Sequence, residues 1–293
     1  MKHYLQNTKL AICVDEKGAE LRSIKRISDQ TEYLWQGDPK YWEGQSPILF
    51  PTVGSVNNGT ICHRGTTYSM PKHGLVKEMC FQFSQLDAHS MTFHVAANED
   101  TIAHYPFPFL LRITYRLAEN QLEVEFQIEN PAAQPLPFHL GAHPAFNLPD
   151  FSADDDVHAY LMFDVSEKLV GNGLKPGGLL WPEDSFDVPL DAHRQLPITD
   201  HTFDCDTILD SRGIARECTL LNRKKEPVAT VRFDSPILAL WAPCGGCAPF
   251  VCIEPWWGCC DRFDYQGEFS NRPWTNIVPP HETKVIKYSI IFH

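Results

Sequence analysis

Apolar and polar residues alternate along most of this chain with a period of two, in short runs separated by turn-forming residues. Met91-Thr92-Phe93-His94-Val95, residues 109–115 and Leu122-Glu123-Val124-Glu125-Phe126-Gln127-Ile128 each put their apolar side chains on one side, the pattern of a half-buried β-strand. The last two flank residues 116–121, which predicts a hairpin. Comparable runs occupy residues 10–14, 19–24, 160–163, 229–233, 238–241 and 285–292. No window carries a long apolar stripe of helical period, and 23 prolines and 17 glycines punctuate the sequence. The prediction is an all-β chain of many short strands, forming one domain over residues 1–293. Residues 150–158, acidic and turn-rich, and residues 171–197, with glycines, prolines and little alternation, are predicted as surface loops.

Composition narrows the partners. The chain is 43% hydrophobic, enough for a large core, and its formal net charge of −12 comes without any cluster of Lys or Arg. Nucleic acid and anionic membranes are poor partners for such a chain, whereas a small neutral molecule suits it. The N-terminus lacks the apolar run of a secretory signal and no segment is long enough to span a bilayer, so a cytoplasmic protein is expected. Its 10 cysteines would then stay reduced. Cys244 and Cys247 with Cys259 and Cys260 resemble two zinc-ligand pairs, but the adjacency of the second pair spoils the usual spacing, and no metal or other cofactor is expected.

Candidate chemistry gathers in four places. Phe250-Val251-Cys252-Ile253-Glu254-Pro255-Trp256-Trp257-Gly258 reads as a buried strand that ends on a carboxylate beside two indoles. A buried carboxylate is costly unless partnered, and such settings shift pKa values; a structural hydrogen bond at a strand end is the plainer use of Glu254. Pro47-Ile48-Leu49-Phe50-Pro51-Thr52-Val53-Gly54 opens into Asn58-Gly59, a hairpin-turn signal. In Met70-Pro71-Lys72-His73-Gly74, proline and glycine hold His73 on constrained backbone. In Pro137-Phe138-His139-Leu140-Gly141-Ala142-His143-Pro144, the strand period puts His139, Gly141 and His143 on one face, and Pro144 ends the pairing. One histidine and one carboxylate on opposite sides of a substrate suffice for proton transfer. No phosphate loop, dinucleotide fingerprint or GxSxG elbow is present.

Taken in this order, the run Pro47–Gly54, Pro71-Lys72-His73-Gly74, Gly141-Ala142-His143-Pro144-Ala145-Phe146-Asn147 and Cys252-Ile253-Glu254-Pro255-Trp256 resemble the signatures of the aldose 1-epimerase (galactose mutarotase-like) family, in its shorter bacterial branch, over roughly residues 10 to 292. The resemblance implies a large antiparallel β-sandwich, the mutarotase supersandwich, whose concave face binds a monosaccharide. It implies that Glu254 is the general base on the anomeric hydroxyl, that His143 protonates the ring oxygen, and that His73 holds and polarises the sugar. Asp206, Asn58 and Trp256 are the expected substrate-binding residues. The family's arginine after the glycine matching Gly54 is missing from Ser55-Val56-Asn57-Asn58-Gly59, and Arg64 and Lys72 are the candidate replacements. A sugar-binding or regulatory protein without turnover is the alternative function.

Overall fold

The structure, a computed structural model, describes residues 1–175, 177–243 and 248–293, with the backbone alone for Leu86. The described chain is an antiparallel β-protein built on two large sheets. A nine-stranded sheet runs in the order Gln195–Ile198, Ala159–Phe163, Glu217–Leu221, Pro227–Phe233, Thr283–Phe292, Gln121–Glu129, Leu110–Ala118, Ser90–Ala96 and Gln82–Asp87. The other sheet runs Leu179–Asp187, Val170–Lys175, Ile208–Asp210, Ile237–Trp241, Phe250–Trp257, Leu140–Ala142 and Ile48–Leu49, with Ala145–Asn147 also paired to Phe250–Trp257. A three-stranded sheet, Lys2–Gln6, Leu10–Asp15 and Leu21–Arg26, adds its apolar side to the same core.

The sandwich follows from the alternation. Along Gln121–Glu129, Leu122, Val124, Phe126 and Ile128 are fully buried, while Glu123, Glu125 and Gln127 between them are not. Those inward residues join one core with Val251, Ile253 and Trp257 of the facing sheet. Each fully buried Leu, Ile or Phe in that core contributes on the order of 2 kcal/mol from removal of apolar surface from water. On the outer face, Lys287 spans Glu123 and Glu125 at 3.5 and 2.6 Å; such exposed pairs do little more than keep the face polar.

Strand Phe250–Trp257 is different because both of its faces are covered. Val251, Ile253 and Trp257 enter the sandwich core, Phe250 and Cys252 pack with Trp35 and Ala145, and Trp256 packs with Leu49, Val53 and Ile237. Its uninterrupted apolar sequence is what burial on both sides requires. Glu254, on the Cys252 and Trp256 side, therefore faces away from the sandwich core into a second enclosed layer.

The predicted strands are present, with ends that move by up to three residues. The hairpin at 116–121 is tighter than expected, because Ala118 pairs with Gln121 across Glu119-Asn120. Residues 150–158 carry no strand. Residues 171–197, predicted as a loop, instead contribute Val170–Lys175, Leu179–Asp187 and Gln195–Ile198. Gly171 and Gly173 there are packing glycines: a Cβ would come within 2.8 Å of Ile208 Cγ2 at the first and 2.9 Å of Cys205 Cβ at the second. Leu179–Asp187 is an edge strand, which tolerates Pro182 and needs little apolar alternation. Asn58-Gly59 forms a turn that leads into Thr60–His63 rather than closing the hairpin, whose reversal is at Arg64-Gly65, both with positive φ.

Candidate active site

The site is made by a break in strand pairing. On one side Phe250–Trp257 is paired continuously to Ile237–Trp241, with Ala239 opposite Glu254. On its other side Ala145–Asn147 covers residues 250–252 and Leu140–Ala142 covers Trp256 and Trp257. The gap between those short strands is His143-Pro144, and proline has no N–H to continue the ladder. The interruption falls beside Glu254, and it sets His143 Nε2 3.3 Å from Glu254 Oε2. Gly141 lets the neighbouring turn of chain lie close, since a Cβ there would sit 2.9 Å from the Trp256 ring.

His73 arrives from a separate segment. Residues 71–75 are pinned to the 50–54 run by His73 N–H to Gly54 O at 2.8 Å and Leu75 N–H to Phe50 O at 2.8 Å. Gly54 N–H in turn donates to His73 Nδ1 at 3.2 Å. That bond leaves the proton of the neutral ring on Nε2, so His73 is a donor. The imidazole of His73 stands edge-on to that of His143, centroids 5.6 Å apart. Both His73 and Gly74 have left-handed backbone, φ 68° and 75°. A Cβ on Gly74 would lie 2.2 Å from Phe50 O, so Gly74→Ala is expected to cost at least about 2 kcal/mol of stability by clash and strain. Urea unfolding reads this directly, and a change within about 0.5 kcal/mol would mean the 71–75 turn is not held as described.

Trp256 is not an open stacking platform: it is 2% exposed, and its indole N–H donates to Glu254 Oε2 at 3.1 Å. The aromatic wall comes from residues that sequence reasoning missed. Trp42 stacks on His143 at 4.9 Å and 27°, and Trp241 meets the same ring edge-on at 5.8 Å. Trp241 could have been found as the end of the strand beside Cys252; Trp42 lies in irregular chain with no local signal. Together with Glu254, His143, His73 and Trp256, these two rings line a cleft of about 660 Å³, large enough for a monosaccharide.

The other expected residues fall differently. Asp206 is outside the cleft lining but near enough for its charge to act on Glu254, and its neighbour Thr207 does line the cleft. Asn58 lines a different hollow, about 380 Å³, with Asn57, Asp261 and Arg272, and is not brought to the histidines. Lys72 lines the cleft, whereas Arg64 lies at the hairpin reversal, where its N–H is held by Glu268. His139 shares the run with His143 but is packed as a structural residue, bonded to Thr275 Oγ1 at 3.0 Å and against Cys259. Of the four cysteines weighed as zinc ligands, Cys244 and Cys247 lie outside the described residues, and Cys259 and Cys260 are buried beside Leu49 and Val53. His143, Cys252 and Glu254 have donor atoms within 4.8 Å of one another, a grouping that could take a metal ion.

Burial dominates the electrostatics. It pushes the Glu254 carboxyl well above the ordinary 4.5, with the Trp256 N–H and the charge of Lys72 pulling back. Burial also pushes His143 down to about 3 and His73 well below 6.5. Burial thus favours the uncharged forms of both, a carboxylic acid beside a neutral imidazole. Each of these shifts has a sign in stability. The buried histidines 73, 139 and 143 have depressed values, so their contribution is complete above 6.5 and is lost as pH falls. Glu254 has a raised value, so its contribution is complete below 4.5 and is lost as pH rises. Between 6.5 and 4.5 four depressed histidines, His63 included, oppose the raised carboxyls of Glu254, Asp210 and Asp261, and the three fully buried histidines make the sum fall on acidification. Urea midpoints at pH 7 and pH 5 test this: the midpoint should be lower at pH 5, and an equal or higher one would contradict the neutral, buried histidines.

The sequence matches the aldose 1-epimerase family across residues 1–289. The chain belongs to that family. It is 32% identical over 294 residues to the protein LacX of Lactococcus lactis subsp. lactis, covering 98% of this chain and 97% of that one. Among solved structures, a galactose mutarotase related enzyme from Lactobacillus acidophilus superposes with a TM-score of 0.93 at 29% identity, covering all of this chain and 97% of the other. A galactose mutarotase-like protein from Lactobacillus casei superposes with a TM-score of 0.94 at 28% identity, with both chains fully covered. The fold of this aldose 1-epimerase family member is accordingly the galactose mutarotase-like β-sandwich. Among the described residues no helix is long and apolar enough to cross a membrane.

Proposed function

We propose that this chain, working as one galactose mutarotase-like domain in the cytoplasm, interconverts the α and β anomers of an aldose by acid/base ring opening. The observation that carries the reading is the Glu254–His143 contact at 3.3 Å inside a sugar-sized cleft, in a chain of the aldose 1-epimerase family. Between them the two side chains hold one proton. Carboxylic acid with imidazole, and carboxylate with imidazolium, are two placements of that proton with the same net charge.

The chemistry uses both placements. With sugar bound, the proton passes from Glu254 to His143; the charge of Lys72 favours the resulting carboxylate and opposes the imidazolium. Glu254 then takes the proton of the anomeric hydroxyl as His143 delivers its own to the ring oxygen. The C1–O5 bond breaks, C1 becomes an aldehyde, and the pair is back in its neutral resting form. Rotation about C1–C2 and the same steps in reverse close the ring as the other anomer. No net proton enters or leaves, so the site can stay dry, where proton transfers between fixed groups are most effective. His73 supplies an Nε2–H donor, and Trp42 and Trp241 supply apolar walls for the sugar ring.

Polarimetry on a panel of freshly dissolved aldoses tests the proposal. Acceleration above the spontaneous rate for at least one of them is expected. A panel with no acceleration, together with sugar binding by calorimetry, would instead make this a sugar-binding protein without turnover.

A further inference from the structure

The register that sets His143 beside Glu254 also brings a third donor to the pair. Ala145 lies opposite Cys252 in the antiparallel ladder, and Ile253 N–H still reaches Pro144 O at 3.3 Å. Continued by one more residue, the same register puts His143 opposite Glu254. Along Phe250–Trp257 the side-chain period is two, so Cys252 and Glu254 share a face. Ala145, opposite Cys252, and Ala239, opposite Glu254, add only methyl groups there. The donor atoms of His143, Cys252 and Glu254 lie within 4.8 Å of one another, and no other such grouping occurs among the described residues.

This donor set has a preference. Thiolate, imidazole and carboxylate are ligands of Zn²⁺ and similar thiophilic divalent cations, whereas Mg²⁺ and Ca²⁺ take oxygen. Around a tetrahedral zinc ion, with bonds of about 2.0 Å to nitrogen and oxygen, those two donors sit about 3.3 Å apart. His143 Nε2 and Glu254 Oε2 already stand at 3.3 Å. A zinc-bound sulfur lies about 3.6 Å from each, so Cys252 Sγ, starting within 4.8 Å, has to close by about 1 Å. Entry of the ion releases the thiol and carboxyl protons to solvent. One thiolate, one carboxylate and a neutral imidazole then balance a divalent charge, and the filled site buries no net charge. The fourth corner of the tetrahedron is left to the cleft that His143 and Glu254 line, where a water or a sugar hydroxyl completes it.

We infer that Cys252, His143 and Glu254 form a binding site for a thiophilic divalent cation of the zinc class, and that the bound ion blocks the cleft's chemistry. The ion site stands on the three donors. The block rests on the mutarotase reading above: an ion held by Glu254 and His143 occupies the lone pairs that would take and carry the proton, so neither group can act as base or acid. Cys252 has no part in the proton transfers, and its sulfur is what makes the pair selective for such an ion.

Zinc chloride titrated into chelator-treated protein, followed by calorimetry, tests the ion site, with cobalt(II) in its place followed by absorption. One tight zinc ion per chain is expected, and cobalt should give a thiolate-to-metal charge-transfer band in the near ultraviolet. In Cys252→Ala the band should vanish and zinc binding weaken by about 100-fold or more, beyond the loss of an outer-shell partner. Cys252→Ser, which keeps the size of the side chain more closely, should lose the band as well, and urea unfolding checks that both variants are folded. Absence of tight zinc binding, or a band and affinity unmoved in the variants, overturns the site. In exchange NMR on an aldose that the metal-free protein turns over, zinc should suppress anomer exchange at the concentrations that fill the site. The concentration that halves the rate should rise about 100-fold in Cys252→Ala, each protein compared with its own metal-free rate. Turnover that survives a filled site overturns the block. If the metal-free protein turns over no aldose, the mutarotase reading fails, and calorimetry with the cobalt band still decides the ion site.

Discussion

Replacing Glu254 with glutamine is expected to lower the rate of anomer interconversion by about 10²–10⁴-fold, the loss of one general base. Glutamine keeps the shape of the side chain and can still accept the Trp256 N–H that now lies 3.1 Å from Oε2. It cannot take a proton from the anomeric hydroxyl or lend one to His143. The same variant carries a second signature. Because burial raises the Glu254 carboxyl well above 4.5, the wild type loses stability as pH climbs and that group is forced to ionise. Glu254→Gln should therefore match the wild type at or below pH 4.5 and become increasingly the more stable of the two as pH rises from there. Polarimetry reads the first effect and urea midpoints across pH the second. A variant that keeps its activity would remove Glu254 from the chemistry, whatever its stability.

His143→Asn is expected to cost about as much, 10²–10⁴-fold in kcat, with a much smaller change in KM. The asparagine amide overlays the Nδ1 side of the ring and does not reach the Nε2 position 3.3 Å from Glu254, so that contact and the ring stacked on Trp42 are both lost, while urea unfolding should show the fold retained. Under the proposed chemistry, what disappears is the acid for the ring oxygen and the partner that lets Glu254 give up its proton inside a dry site. The two single substitutions should not add: once either member is gone the shared proton has nowhere to move, so Glu254→Gln/His143→Asn should be little slower than either alone. Additive losses in that double variant would mean that the two groups act in separate steps. Near-wild-type turnover in His143→Asn would shift the acid to His73, whose Nε2–H also belongs to the cleft.

Much of this was legible before any coordinates. Strict alternation in residues such as Leu122, Val124, Phe126 and Ile128 reports a sheet with one wet face, and it places the strand correctly. The opposite case, Phe250–Trp257, is legible as buried but not as buried on both sides, because that depends on Trp35, Ala145, Leu49 and Ile237 arriving from distant parts of the chain. Residues 171–197 misled for a related reason. Glycines there serve close packing against Ile208 and Cys205, and an edge strand needs no apolar alternation, so the strands hide behind a loop-like composition.

The candidate site shows the same division. Each motif around His73, His143 and Glu254 could be seen on its own, and Pro144 marked the end of pairing. That the break would fall beside Glu254 is a matter of register, which a single strand does not specify. His139 and His143 look alike in sequence, yet one is consumed by Thr275 and Cys259 and the other faces the cleft. Asn58 was drawn towards the site by its neighbours in the chain, but the turn it occupies points it to the hollow of Asp261 and Arg272. Trp42 had no signal at all, since its role depends on the loop that carries it folding back over His143.

In the proposed chemistry a proton is shared between Glu254 and His143, and exchange spectroscopy on an equilibrated sugar observes its consequence without perturbing the equilibrium. With catalytic amounts of the wild-type protein, cross-peaks between the α and β anomeric protons should appear at mixing times too short for spontaneous exchange, and should vanish with Glu254→Gln at the same concentration. Cross-peaks of equal strength from both proteins, or none from a wild type that binds the sugar, would contradict it.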